Sequence, residues 1–312
     1  MKRMKKFLFL LGISAITLAS CERSLEYDVA EIPTNFTALG VPTLGYQLHV
    51  PPFPVPANFE REWYMRMPIG NKEKIYVTSI EVKMRPGSHH FIAYPFTNEN
   101  DPNNPPIGVM RDQNLASGRL NLRSNQNMSG FILESTAPEY RIDIPNNYAI
   151  PFEANSTLDL NAHYFNKTGK TLFGEMFMNL HTKPRSAIRG ELRELNLANH
   201  DVLVLPPNKR TVIESTQLFD TLTQIMVLTS HNHKRGEKFE IYAVGGADNG
   251  KLIYTSTDYV HPPILYYNTP LTFQKGQGLR SVVTYNNETS RTITFGVTSE
   301  DEMGIVYGYF IK

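Results

Sequence analysis

Cysteine is nearly missing from this chain: Cys21 is the one cysteine in 312 residues. That excludes a disulfide scaffold and any thiolate cluster for zinc or iron–sulfur, leaving His, Met and carboxylates as available metal ligands. Net charge is missing as well. Thirty-one basic residues against 30 acidic ones leave +1, so there is no electrostatic footprint for nucleic acid or another polyanion. No long amphipathic helical pattern occurs, and the apolar run at residues 7–18 is too short to span a bilayer. What is present is a globular composition, 41% hydrophobic and 20% charged, with enough apolar residues to bury a core.

The N-terminus accounts for the cysteine. Lys2, Arg3, Lys5 and Lys6 precede the apolar run, which ends in Leu18-Ala19-Ser20-Cys21. The pattern resembles a bacterial lipoprotein signal, with residues 1–20 removed and Cys21 acylated, so the expected location is the cell envelope, lipid-anchored at the outer membrane or periplasmic face. Residues 21–45 are polar and weakly patterned, and prolines crowd between Pro42 and Pro56, which predicts an extended tether leading into the fold.

Beyond it the chain reads as strand after strand: 62–67, 74–84, 91–96, 157–165, 172–182, 201–205, 224–229, 239–244, 252–257, 278–286, 291–297 and 304–312. Alternation of period two is plain in Ile75-Tyr76-Val77-Thr78-Ser79-Ile80-Glu81-Val82, and Pro, Gly and Asn clusters separate the runs. The expected class is all-β, of sandwich or jelly-roll type. A break near Thr182-Lys183-Pro184-Arg185-Ser186 divides the folded part into comparable halves, giving two expected domains, 46–184 and 185–312. The Asn- and Pro-rich stretch 97–106 is expected to be a surface loop within the first.

Five of the nine histidines fall in arrangements a metal site could use. His231 and His233 are separated by one residue, so on a strand both imidazoles project from one face and can grip one ion. His89 and His90 are adjacent, and a regular strand would send them to opposite faces. Their joint use requires an irregular backbone, which Pro86-Gly87-Ser88 can supply. His163 lies on a strongly alternating strand and could provide a third ligand. Taken singly, each arrangement is met more often as a hydrogen-bonded structural or surface histidine. His49, His181, His200 and His261 have no such neighbours and read as structural or surface residues.

Taken in order, four segments resemble one family: Ser88-His89-His90-Phe91, Ala162-His163-Tyr164-Phe165-Asn166, His231-Asn232-His233-Lys234-Arg235-Gly236, and Phe295-Gly296 running on to Asp301-Glu302-Met303. The family is that of the copper type II, ascorbate-dependent monooxygenases, which includes the peptidylglycine α-hydroxylating and dopamine β-hydroxylating enzymes. The resemblance runs from about residue 60 to the C-terminus in the right motif order. It implies two tandem jelly-roll sandwiches with one copper on each. His89, His90 and His163 would hold the electron-supplying copper, and His231, His233 and the Met303 thioether the copper that binds dioxygen. Without the resemblance, Met303 would read as a core residue. Imidazole and thioether ligands suit copper cycling between its two oxidation states.

The sequence also departs from the family. Gly304 stands where the animal enzymes have a cysteine. Of three residues that bind the peptide carboxylate in the amidating branch, Thr229 and Ile305 replace two and only Tyr307 matches, which argues against a peptidylglycine substrate. The resemblance implies a monooxygenase that hydroxylates a C–H bond of a small or peptide-like substrate, using O2 and an external electron donor such as ascorbate. The alternative is a non-enzymatic surface lipoprotein that keeps the fold for copper or ligand binding.

Overall fold

The structure is a computed structural model that describes residues 32–112, 133–135, 138–260, 262–296 and 300–311. Cys21, on which the expected lipid anchor rests, and His261 lie outside them. The all-β expectation holds, since the only helical pieces among the described residues are two three-residue 3-10 turns, Pro145–Asn147 and Arg185–Ala187.

The largest sheet has nine strands, numbered here along the chain. Its order is β1 (Gly45–Val55), β10 (Leu172–Thr182), β3 (Ile75–Met84), β8 (Tyr148–Phe152), β11 (Gly190–Ala198), β20 (Gly304–Ile311), β14 (Thr223–Asn232) and β17 (Leu265–Phe273), with β7 (Glu139–Asp143) also paired to β3. A five-stranded sheet of β5 (Met110–Asp112), β2 (Phe59–Pro68), β9 (Thr157–Asn166), β4 (Ser88–Pro95) and β6 (Leu133–Ser135) belongs to the first half. A four-stranded sheet of β13 (Lys209–Leu218), β18 (Gly278–Asn287), β15 (Gly236–Val244) and β16 (Leu252–Ser256) belongs to the second. A short pair, β12 (Val204–Leu205) with β19 (Ile293–Thr294), completes it.

Each small sheet packs on the large one across its own core. In the first half Trp63, Phe91, Leu158 and Leu160 meet Val50, Ile80, Val82 and Met178. In the second, Phe239, Ile241, Leu279 and Val283 meet Leu195, Ile225, Leu228 and Val306. Strands β14 and β20 are buried on both faces, because Val227, Ile305, Tyr307 and Tyr309 point the other way and complete the first core. The halves are further joined by a parallel pairing of β8 with β11 through Gly190↔Tyr148 and Glu191↔Ala149.

Within the proline-rich stretch, Gly45–Val55 forms a strand at the start of the expected first domain. It lies at the sheet edge beside β10, and its register breaks between Val50 and Phe53, where Pro51 and Pro52 could not donate to a regular ladder. Residues ahead of it dock on the same edge, with the carbonyls of Pro33 and Gly40 accepting from Arg85 and Asn179. The expected loop at 97–106 forms, and Glu99 ties it inward to Arg66 and Thr157.

The two halves close their hairpins with the same bracket. Asn166 Nδ2 donates to the carbonyls of Val55, Pro56 and Lys170, and its Oδ1 accepts from the Thr168 N–H and hydroxyl. Asn287 repeats every one of these bonds with Leu205, Pro206, Arg291 and Thr289. Asn58 and Asn208, both left-handed, donate their N–H to the carbonyls of Thr168 and Thr289. The registers correspond as well. Ser88↔Tyr164 matches Gly236↔Tyr285, each followed by a bulge, and Met84↔Met176 matches Asn232↔Gly304. Buried Tyr164 and Tyr285 then donate their hydroxyls to the carbonyls of matching residues, Glu175 and Met303.

Candidate metal centres

His89, His90 and His163 come together on the small sheet of the first half. β4 pairs with β9 so that His90 lies opposite His163, and the register shifts between Ser88 and His90. His89 is therefore the extra residue of a β-bulge, the irregular backbone that two adjacent histidines need to reach one point. Gly87, at φ +95, turns the chain into it. One ring nitrogen from each of the three lies within 4.8 Å of the others. Nitrogens each about 2 Å from a shared ion are at most about 4 Å apart, so small side-chain rotations gather this set around one.

Hydrogen bonds fix which nitrogens face inward. His163 Nε2 lies 2.6 Å from Glu60 Oε1, and a carboxylate accepts, so Nε2 carries the proton. Its Nδ1 is buried with no hydrogen-bond partner, a lone pair aimed into the cluster. His90 Nε2 donates to Asn161 Oδ1 at 2.9 Å, and Asn161 is oriented by its own donation to Glu62 and to the Trp63 carbonyl. His90 Nδ1 is then the lone-pair face, and it accepts from Nδ1 of His89 at 3.2 Å. Burial holds His90 neutral, well below the usual imidazole range, and His163, His89 and, more weakly, His231 of the second half add to the effect. A neutral imidazole locked in one tautomer by an oxygen acceptor is the form that ligates a metal. The donor set therefore fits copper.

The second set stands on the large sheet. His231 and His233 project from one face of the β14 end, their ring centroids 5.2 Å apart. β14 pairs antiparallel with β20, His231 opposite Ile305, and continuing that register brings Met303 opposite His233. Met303 packs against the first core, the side toward which this face looks. His233 Nδ1 donates to the Asp301 carbonyl at 3.1 Å, leaving Nε2 as the lone pair. Imidazole and thioether together suit copper here also.

Among residues the resemblance singled out for substrate binding, Thr229 donates its hydroxyl to the Pro263 carbonyl. Tyr307 is buried in the first core and its hydroxyl donates to Tyr309, so it serves as a strand aromatic. Histidine spacing did not reveal Glu60, Glu62, Asn161 or Glu302. Glu60, Glu62, Asn161 and His163 alternate along two paired strands, a signal that becomes readable only once β2 is known to pair with β9.

Residues 191–312 match the family model described as copper type II ascorbate-dependent monooxygenase, C-terminal domain. No curated protein matches the chain. Among solved structures it is similar to one titled "Crystal Structure of the STIV MCP", at 8% identity and a TM-score of 0.33, covering 85% of this chain and 96% of that one. It is also similar to the infectious bursal disease virus VP2 subviral particle, at 10% identity and a TM-score of 0.17, covering 88% and 73%. Likenesses this low say nothing about function. The family match spans the second half alone and contains His231, His233 and Met303, while the first-half histidine cluster is a set that could hold a metal ion.

Proposed function

We propose that the chain is a copper-dependent monooxygenase that holds two copper ions and hydroxylates a substrate C–H bond. The net reaction takes the C–H substrate, O2, two electrons from a reductant such as ascorbate, and two protons, to an alcohol and water. When bound, copper supplies one-electron redox chemistry with dioxygen. His89, His90 and His163 would hold the ion that receives electrons from the donor. His231, His233 and Met303 would hold the one at which oxygen reacts. Glu60 and Asn161 keep the first-half imidazoles in the ligating tautomer, and the Asp301 carbonyl does so for His233. The observation that carries the reading is the buried, unpartnered Nδ1 of His163 amid three gathered imidazoles, in a chain whose other half matches the monooxygenase family.

Elemental analysis combined with oxygen uptake under ascorbate tests it. Two coppers per chain and reductant-dependent uptake are expected. Two coppers without uptake would leave a copper-binding protein, and a preference for zinc in competition would reject both readings. Attachment through Cys21 belongs to the same proposal: Cys21→Ser should release the protein from the membrane fraction or stall its precursor, and full retention of the processed mutant would dismiss the anchor.

A further inference from the structure

Glu302 is fully buried, and its carboxylate is occupied by three backbone N–H groups. Oε2 accepts from His233 at 3.0 Å and from Met303 at 3.1 Å, while Oε1 accepts from Arg235 at 2.9 Å. One oxygen atom thus ties together the backbones of two residues 70 positions apart in sequence, both of them ligands in the reading above. Their nitrogens can be no farther apart than those two bonds laid end to end. The main chain of Glu302 is fixed from the other side, its N–H donating to Thr294 and its carbonyl accepting from Gly296. The carboxylate is therefore a rigid clip between the end of β14 and the start of β20.

The first half shows whether the scaffold itself needs such a clip. Under the correspondence of Met84↔Met176 with Asn232↔Gly304, His233 matches Arg85, Met303 matches Glu175 and Glu302 matches Gly174. β3 and β10 form the same antiparallel pair with a glycine at that place, so the fold is built without a carboxylate there. Burying a carboxylate is costly unless every oxygen is satisfied, and it is found in the half where an imidazole and a thioether must be brought to one point.

We propose that Glu302 is a positioning residue of the second centre, setting the His233-to-Met303 spacing that lets imidazole and thioether share one copper. The inference rests on the monooxygenase reading. The test uses the full-length chain loaded with copper, comparing wild type with Glu302→Gln and Glu302→Asp by copper stoichiometry, copper affinity and X-ray absorption of the reduced form. Glutamine offers one acceptor oxygen for three donors, so Glu302→Gln should weaken the second copper about 10- to 100-fold and lose the sulfur scattering contribution, with the first copper retained. Aspartate keeps the charge and both oxygens, and should restore part of the sulfur signal. A Glu302→Gln protein with two tightly held coppers and unchanged sulfur scattering would overturn the proposal. So would loss of both coppers in both variants, which would make Glu302 a residue of the fold. Absence of copper–sulfur scattering in the wild type would instead remove Met303 from the site, and the monooxygenase reading would fail before the clip.

Discussion

In the first half the gathered imidazoles stand on the small sheet, on β4 and β9. In the second they stand on the large sheet, on β14 across from Met303. The matching positions are filled by other chemistry. Where the second half has His233 and Met303, the first has Arg85 and Glu175, a buried ion pair at 2.7 Å that His49 joins at 2.9 Å. Where the first half has His89, His90 and His163, the second has Glu237, Lys238 and Thr284, on the same bulge and register. One strand arrangement, held by the same asparagine bracket, thus supports ligand-type residues at two unrelated addresses. The scaffold fixes where side chains can converge, and a few substitutions decide whether a convergence point receives an ion, a salt bridge or neither.

The sharpest way to break this comparison is Met303→Ile, which keeps apolar volume. Reductant-dependent oxygen uptake at matched copper loading should fall by at least about 100-fold, beyond the loss usual for residues behind the ligands, while folding and the first copper persist. Equal uptake would place Met303 with the other core methionines. Next comes Glu60→Ala, which removes the acceptor that holds His163 in its tautomer. The first copper should weaken about 10- to 100-fold and the second should not respond, as measured by competitive chelation. Copper loss from both sites together would show that the halves do not act separately.

Arg85→Met tests the salt bridge at the address that corresponds to the second centre. It leaves Glu175 buried without its guanidinium and should cost about 3–5 kcal/mol in denaturant unfolding, with copper content unchanged. Replacing Glu175 by Met as well should recover much of that loss. The smallest effect is expected at the bracket. Asn166→Ala and Asn287→Ala should each cost about 1–3 kcal/mol, and by similar amounts, because each orphans the same set of carbonyls. A large inequality in melting would mean that the shared geometry hides different energetics.

Much of the β architecture is legible in the sequence, because half-buried strands alternate visibly: 74–84 and 278–286 lie within a residue or two of β3 and β18. β13 was missed since it is largely exposed, so burial imprints no apolar face on Lys209–Leu218. β1 does not stand out because its prolines mask a strand that an edge position with a register shift tolerates. The histidines declared themselves through spacing, and the need for irregular backbone at His89-His90 was met by the bulge. Their supporting oxygens did not. Glu60 reaches His163 across 103 residues and Glu302 reaches His233 across 69, and no local period encodes contacts made by strand pairing.

The burial of β14 and β20 on both faces bears on how the molecule comes apart. Ile305, Tyr307 and Tyr309 belong to the second half by sequence yet fill the first core. A fragment ending before β11 would leave that core open, and residues 191–312 alone would present those aromatic rings to water. Cooperative unfolding in a single transition, with amide protection in the two halves lost together, is the behaviour such interlocking dictates. The unit that folds is then the pair, and both candidate ligand sets are assembled in the same step.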